Sequence, residues 1–114
     1  MIELQAKGPI HEIRLARPPV NALNPELLAA LQAAVEAAPG PGARAIVLSG
    51  GPNVFSGGLD VPYLMGLDAV ALKSAWRDFF DAATAIARCP VPVVAAIAGH
   101  APAGGCVLAL CCDY

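Results

Sequence analysis

Two apolar runs constrain the fold most, because neither alternates between apolar and polar residues. Residues 44 to 50 read RAIVLSG, and residues 89 to 99 read CPVPVVAAIAG. Continuous apolar runs of this length are typical of strands that are buried on both faces of a parallel sheet. Each run leads to glycines, in the stretches VFSGGLD (54–60) and PAGGCVL (102–108). We therefore expect two buried strands, each followed by exposed backbone.

The segment before the first run predicts a strand pair and a helix. Short strands are expected over residues 2–5 and 10–15, which flank a Gly-Pro turn signal. Asn24 is expected to cap a helix that has Pro25 at its first position. The sequence PGPG at 39–42 predicts the end of that helix.

A long amphipathic helix is predicted over residues 70–88. Its expected buried face comprises Leu72, Trp76, Phe79, Phe80, Ala83 and Ile86. A last helix is expected to begin at the second glycine pair, from Ala103 onward. Repeated strand-then-helix units predict an α/β layer structure with crossover connections, and no linker divides residues 1–114.

The composition indicates an incompletely covered core. The chain has 114 residues, enough for a single domain. Its apolar residues amount to 57% and its charged residues to 14%, whereas about 45–50% and about 25% are usual. We infer that a partner subunit or more chain covers much of the exterior.

Several classes of protein are disfavoured by charge and spacing. A net charge of −2 without a basic stripe argues against nucleic-acid binding. Residues 91–112 are hydrophobic enough for a membrane span, but prolines, a histidine and clustered glycines interrupt them. The four cysteines form no C-x-x-C pair and no metal-ligand spacing with histidine, so we expect reduced, buried thiols in a cytoplasmic protein and no metal.

The glycine stretches allow several interpretations. Neither matches a phosphate-binding loop, and the G-x-S-x-G motif of hydrolases is absent. Ser56 with His100 as its base is compatible with the spacing, but lone residues of these types are more often structural. The glycines could form tight turns beneath the helices. Alternatively, they could present main-chain N–H groups to one oxyanion, provided that the two strands are neighbours.

Three blocks together resemble the enoyl-CoA hydratase/isomerase, or crotonase, superfamily. They are RPPVNALN (17–24), VFSGGLD (54–60) and PVVAAIAGHAPAGGCVLALCCDY (92–114). The resemblance implies a crotonase-like (ClpP/crotonase) α/β spiral of ββα units, of which residues 1–114 would be the N-terminal part. The sequences PAGG, GGLD and PPVNAL look closest to mitochondrial-type Δ3,Δ2-enoyl-CoA isomerases. The resemblance also implies acyl-CoA substrates, homotrimers or hexamers, and no metal or redox cofactor.

The resemblance assigns roles to two segments and two backbone amides. The N–H groups of Leu59 and Gly104 would form an oxyanion hole for the thioester carbonyl. Residues Gly57, Gly58, Leu59, Asp60 and Val61 would lie along the thioester and pantetheine. The backbone of Val20, Asn21 and Ala22 would lie near the CoA moiety.

The resemblance also bears on the reaction. Hydratases of the family use two Glu residues, the first directly after the Cys of the GGC block, where this chain has Val107. In isomerases, a single Glu moves a proton from C2 to C4 of the acyl chain, and that Glu would lie beyond Tyr114. An isomerase is therefore favoured. The alternatives are hydration, thioester hydrolysis, decarboxylation and a non-catalytic acyl-CoA-binding chain.

No acid in the sequence is expected to replace the missing base. Asp60 is expected to be a structural acceptor near its turn, and Asp113 is expected to pair at a helix end. The remaining carboxylates considered are expected to be solvated: Glu3, Glu12, Glu26 and Glu36.

Overall fold

Most helices and strands begin or end near the local sequence signals that predict them. The computed structural model describes residues 1–114. The elements are β1 (Ile2–Lys7), β2 (Ile10–Leu15), α1 (Pro25–Ala37), β3 (Ala45–Ser49), α2 (Val61–Met65), α3 (Ala69–Ala87), β4 (Val93–Ala96) and α4 (Gly104–Cys111). The strands lie side by side in the order β1-β2-β3-β4. The first pair is antiparallel and the other two pairs are parallel, as the predicted crossovers require.

The parallel register brings the two glycine stretches to one edge of the sheet. Ile46 of β3 lies opposite Val93 of β4, and Ser49 lies opposite Ala96. The chain leaves both strands in the same direction, because parallel strands end at the same side. The stretches 54–60 and 102–108 therefore start from neighbouring positions, which confirms that the strands are neighbours.

Helix α1 begins as predicted. The side chain of Asn24 accepts a hydrogen bond of 2.9 Å from the Leu27 N–H, and Pro25 occupies the first turn. One face is buried and comprises Leu27, Leu28, Leu31 and Val35. This face packs against α3 and β2 within one hydrophobic core that also includes Ile13, Leu48 and Phe55.

Helix α3 is where the predicted burial is partly wrong. Phe79, Ala83 and Ile86 are buried, whereas Trp76 is 42% and Phe80 is 57% exposed. Ala75 and Ala82 are buried instead. Small alanine side chains line the contact with the neighbouring helices, and the displaced rings of Trp76 and Phe80 stack on each other with centroids 5.8 Å apart.

The two apolar runs are also less buried than their sequences predict. Strand β4 covers only Val93–Ala96, and Val93 is its only fully buried residue. In β3, Ile46 and Leu48 are buried whereas Val47 is half-buried, so the helices cover one face. Short helix α2 has no counterpart in the sequence prediction. No helix is both long and apolar enough to cross a membrane.

The last two residues return to the outer edge of β4. The backbone N–H of Val93 donates to Asp113 Oδ2 at 2.8 Å, and the Val93 carbonyl accepts from the Asp113 N–H at 2.8 Å. The Ala95 N–H donates to the Tyr114 carbonyl at 2.7 Å. The expected role of Asp113 as an acceptor at a helix end is therefore confirmed.

The four thiols are free, but not all are buried as predicted. Cys106 is exposed, because it lies on the outer side of the first turn of α4, whereas Cys89, Cys111 and Cys112 are half-buried. Burial raises the pKa of Cys111. Burial, with smaller contributions from Cys111 and Asp113, raises the pKa of Cys112 to about 11.

The raised pKa of Cys112 predicts a loss of stability in alkali. Its ordinary pKa is 9.0, so between that pH and about 11 the unfolded chain loses this proton before the folded chain does. The free energy of unfolding should therefore fall as the pH rises through this interval. Urea unfolding of Cys112→Ala should show a smaller fall than the wild type over the same interval. Equal slopes for the two proteins would contradict the prediction.

Removal of the α1 cap should destabilise the protein. Asn24→Ala leaves the Leu27 N–H without its acceptor and should lower the free energy of unfolding by about 1 kcal/mol. Asn24→Ser keeps a capping oxygen and serves as the matched control. Urea denaturation of the three proteins measures the difference, and an alanine variant as stable as the serine variant would refute the assignment.

Candidate active site

The ends of β3 and β4 are joined by backbone pairing beyond the sheet. The Phe55 N–H donates to the His100 carbonyl at 2.8 Å, and the His100 N–H donates to the Asn53 carbonyl at 3.0 Å. Further along, a methyl group added at Gly105 would collide with the backbone carbonyl of Ser56. The second glycine stretch therefore packs directly on the backbone of the first.

A second bridge fixes the direction of the Leu59 amide. The Leu23 N–H donates to the Gly58 carbonyl at 2.8 Å, and the Asp60 N–H donates to the Leu23 carbonyl at 3.2 Å. In such a parallel bridge, Gly58 and Asp60 supply the hydrogen bonds to Leu23, and Leu59 between them directs its own N–H to the opposite side. The Leu59 N–H therefore points away from Leu23.

Glycine is needed where the two stretches meet. Gly58 has φ +97°, and a methyl group there would lie 3.0 Å from the Gly104 nitrogen. A methyl group on Gly104 would lie 3.3 Å from the Leu59 nitrogen. From backbone bond lengths, the nitrogens of Leu59 and Gly104 then lie within about 6 Å of each other. The structure thus brings together the two amides that the sequence singled out.

The N–H groups of Leu59 and Gly104 have no acceptor within the chain, unlike those of Gly57 and Gly58. The Gly57 N–H donates to the Val20 carbonyl at 2.8 Å, and the Gly58 N–H donates to Ser56 Oγ at 3.1 Å. Neither Leu59 nor Gly104 donates a backbone hydrogen bond within the chain. Gly104 is the first residue of α4, where helix geometry leaves an N–H free. Two unused donors therefore lie close together.

The buried side chain of Asn21 connects the segment after β2 to the first glycine stretch. Its Nδ2 donates to the Phe55 carbonyl at 2.9 Å, and its backbone carbonyl accepts from Ser56 Oγ at 2.8 Å. Its φ of 52° suits asparagine, which visits this region more readily than most residues. Ser56 is fully buried and structural, while His100 is exposed, so the structure does not support the Ser56–His100 pair as a nucleophile and base.

A cleft of about 390 Å³ lies beside this junction. It is lined by residues 17–20, Ala22 and residues 57–62. Val20 and Ala22 therefore face the same space as residues 57–61, as the sequence prediction requires. Asn21 lies buried behind them. Gly104 is not in the lining and reaches the site through its contact with Gly58 and Leu59.

An ion pair that sequence reasoning missed forms part of the cleft wall. Arg17 Nη1 lies 3.0 Å from Asp60 Oδ2 and donates to the Ala22 carbonyl at 2.8 Å. Asp60 Oδ1 also accepts from the Tyr63 N–H at 3.3 Å, which confirms the expected structural acceptor. No sequence spacing signals this pair, because Arg17 and Asp60 are 43 positions apart. The one nearby sequence signal is the Pro-Pro turn that follows Arg17.

The other carboxylates lie outside the cleft. Glu12 is an exception to the expected solvation, because it is half-buried and accepts from Ser49 Oγ at 2.7 Å. Glu3, Glu26 and Glu36 are exposed as expected. Asp60 is therefore the only acid in the cleft wall, and Arg17 already neutralises it.

Comparison with known proteins agrees with this fold. The family model described as enoyl-CoA hydratase/isomerase matches residues 5–114. The mouse mitochondrial enoyl-CoA delta isomerase 1 is 31% identical over 116 aligned residues, which cover 100% of this chain and 40% of that protein. A protein of Rhizobium meliloti named "Probable enoyl-CoA hydratase" is 38% identical, covering 97% of this chain and 43% of its own length.

A solved structure shows the same backbone. The crystal structure of human mitochondrial delta3-delta2-enoyl-CoA isomerase superposes with a TM-score of 0.94 at 30% identity, covering 99% of this chain and 45% of that one. The fold is that of a crotonase-type protein. The chain belongs to the enoyl-CoA hydratase/isomerase family, and it spans less than half the length of these relatives.

The contact between the glycine stretches predicts a difference between two substitutions at positive φ. Gly42 has φ +101° with open space around it, whereas an added methyl at Gly58 would meet the Gly104 amide. Gly42→Ala should lower the free energy of unfolding by about 1 kcal/mol through backbone strain alone. Gly58→Ala should lower it further, because steric overlap adds to the same strain. Urea midpoints measure both, and equal losses would contradict the described contact.

Proposed function

We propose that the protein binds an acyl-CoA thioester and stabilises its enolate with the N–H groups of Leu59 and Gly104. The observation that supports this is the pair of unused amides at a junction where added methyl groups would crowd the opposing backbone. Donors that are fixed before the reaction stabilise developing negative charge without reorganisation, and removing one such donor typically lowers kcat by about 10²–10³-fold. The helix dipole of α4 adds positive potential at the Gly104 N–H.

The cleft supports a matching position for the rest of the ligand. Residues 57–61 would run along the thioester and pantetheine, and Val20 and Ala22 would contact the CoA moiety on the opposite wall. Asn21 would act from behind by holding the loop, since its side chain is buried in hydrogen bonds. The thioester is the substrate, and the proposed reaction needs no metal or redox cofactor.

Within this class we propose a double-bond isomerase. Hydrogen bonding to the carbonyl acidifies C2, a carboxylate removes a C2 proton, and its return to C4 moves the double bond from C3–C4 to C2–C3. Val107 supports this choice over a two-glutamate hydratase, since it stands where the first glutamate would be. Relatives named as isomerase and as hydratase are comparably similar, so hydration is an alternative. Thioester hydrolysis and decarboxylation are the further alternatives that the family resemblance implies.

The whole protein is proposed to be a cytoplasmic homotrimer or hexamer. Large apolar side chains are exposed on α2, α3 and α4, including Met65, Val70 and Leu110. Such side chains favour coverage by further protein.

A non-catalytic acyl-CoA-binding chain is the second candidate function. One observation favours it: the only acid in the cleft wall is already paired with Arg17.

The complete gene product should convert a 3-enoyl-CoA into the conjugated 2-enoyl-CoA. The gain in ultraviolet absorbance from conjugation measures the reaction directly. Turnover of another thioester without isomerisation would reject the isomerase in favour of a different crotonase reaction. Binding without any turnover would support the non-catalytic candidate.

Gly58→Ala and Gly42→Ala provide the matched control for the site. Both substitutions strain the backbone, but only the first places a methyl group against the Gly104 nitrogen. Gly58→Ala should lose most of the turnover while Gly42→Ala keeps it. Equal activity in the two folded variants would reject the proposed oxyanion hole.

A further inference from the structure

We infer that Arg17 is a positioning residue for the Leu59 amide. Its guanidinium acts on the position of this amide through Asp60 and Ala22. This inference rests on the proposed function, since it concerns the same oxyanion hole. Arg17 makes no hydrogen bond to Leu59. It contacts the residues next to both partners of the Leu23–Leu59 bridge.

The contacts of the guanidinium define this role. Nη1 donates to the carbonyl of Ala22 at 2.8 Å and lies 3.0 Å from Asp60 Oδ2. Ala22 directly precedes Leu23, and Asp60 directly follows Leu59. One nitrogen therefore ties together the two segments whose pairing directs the Leu59 N–H away from Leu23.

The remaining contacts keep this connection rigid. The Arg17 N–H donates to Asn21 Oδ1 at 2.7 Å, and the Asn21 N–H donates to the Arg17 carbonyl at 2.8 Å. At the other end, Asp60 Oδ1 caps the Tyr63 N–H and so fixes the entry into α2. Asp60 thus uses one oxygen for the helix and the other for Arg17.

Burial separates this pair from an ordinary surface ion pair. The side chains of Arg17 and Asp60 are 30% and 16% exposed, with a shortest separation of 3.0 Å. The chain's other ion pair, Arg14 with Glu3, has 3.9 Å between its atoms and side chains that are 46% and 68% exposed. Exposed pairs of that kind contribute little to stability, because solvent screens them. Arg14 therefore provides a matched control.

Loss of the Arg17 guanidinium should displace the Leu59 N–H rather than remove a contact with the ligand. Without Arg17, the Ala22 carbonyl and the Asp60 carboxylate lose their common partner, and the bridge can shift. A misplacement of about 1 Å near a reacting group can lower the rate about 100-fold. The expected effect is therefore on kcat, because the groups that bind the rest of the CoA thioester remain.

The test compares Arg17→Met, Arg17→Lys, Asp60→Asn and Arg14→Met in the complete gene product. Thermal melting first identifies the folded variants, and kcat and KM are then measured on the thioester that the wild type turns over. Arg17→Met should lower kcat about 10- to 100-fold with KM changed less than about threefold. Arg17→Lys should recover part of the loss, and Arg14→Met should match the wild type.

A double variant tests whether Arg17 acts through Asp60. Asp60→Asn removes the charge but keeps an oxygen that can cap α2. The variant Arg17→Met with Asp60→Asn should have a kcat within about threefold of Arg17→Met alone, because both changes break the same connection. Multiplicative losses would overturn the inference. If Arg17→Met fails to fold, Arg17→Lys and Asp60→Asn provide the same comparison.

The outcomes separate this inference from the proposed function. A raised KM with unchanged kcat would make Arg17 a ligand contact and overturn the positioning role. Unchanged kinetics in folded Arg17 variants of an active wild type would overturn only this inference. A wild type that neither binds nor turns over any acyl-CoA would overturn the proposed function, and the inference with it.

Discussion

The close approach of two backbones at Gly58 and Gly104 is the constraint on which the rest of the site depends. A side chain at either position would push the stretches apart, since added methyl groups would lie 3.0 Å and 3.3 Å from the opposing amide nitrogens. The approach is possible because parallel β3 and β4 deliver both stretches to one side of the sheet. Sheet register, glycine content and the position of the free amides are therefore parts of a single arrangement.

Side chains stabilise this arrangement from behind. Asn21 and Ser56 hydrogen-bond between the segment after β2 and the first glycine stretch, and the Arg17–Asp60 ion pair joins the same two segments. None of these groups offers a free nucleophile or base in the cleft. The polar side chains of the region thus serve mainly to hold main-chain donors in place, which is consistent with the proposed use of backbone N–H groups on an oxyanion.

The sequence predicted what depends on local chemistry. The Asn24 cap and the end of α1 before PGPG followed from short-range signals, and the family motifs identified Leu59 and Gly104. It failed where tertiary contacts decide. Trp76 and Phe80 suited a buried helical face, but the alanine side packs against the neighbouring helices. The Arg17–Asp60 pair escaped notice because the loops, rather than sequence spacing, bring these residues together.

The pairing of Asp113 and Tyr114 with β4 affects how the sheet meets other molecules. Unpaired backbone groups along a sheet edge invite strands from foreign chains and so promote aggregation. Asp113 and Tyr114 already occupy the Val93 N–H, the Val93 carbonyl and the Ala95 N–H. A stray peptide would have to displace these bonds before it could add to the sheet at β4, so residues 113–114 protect this edge against self-association.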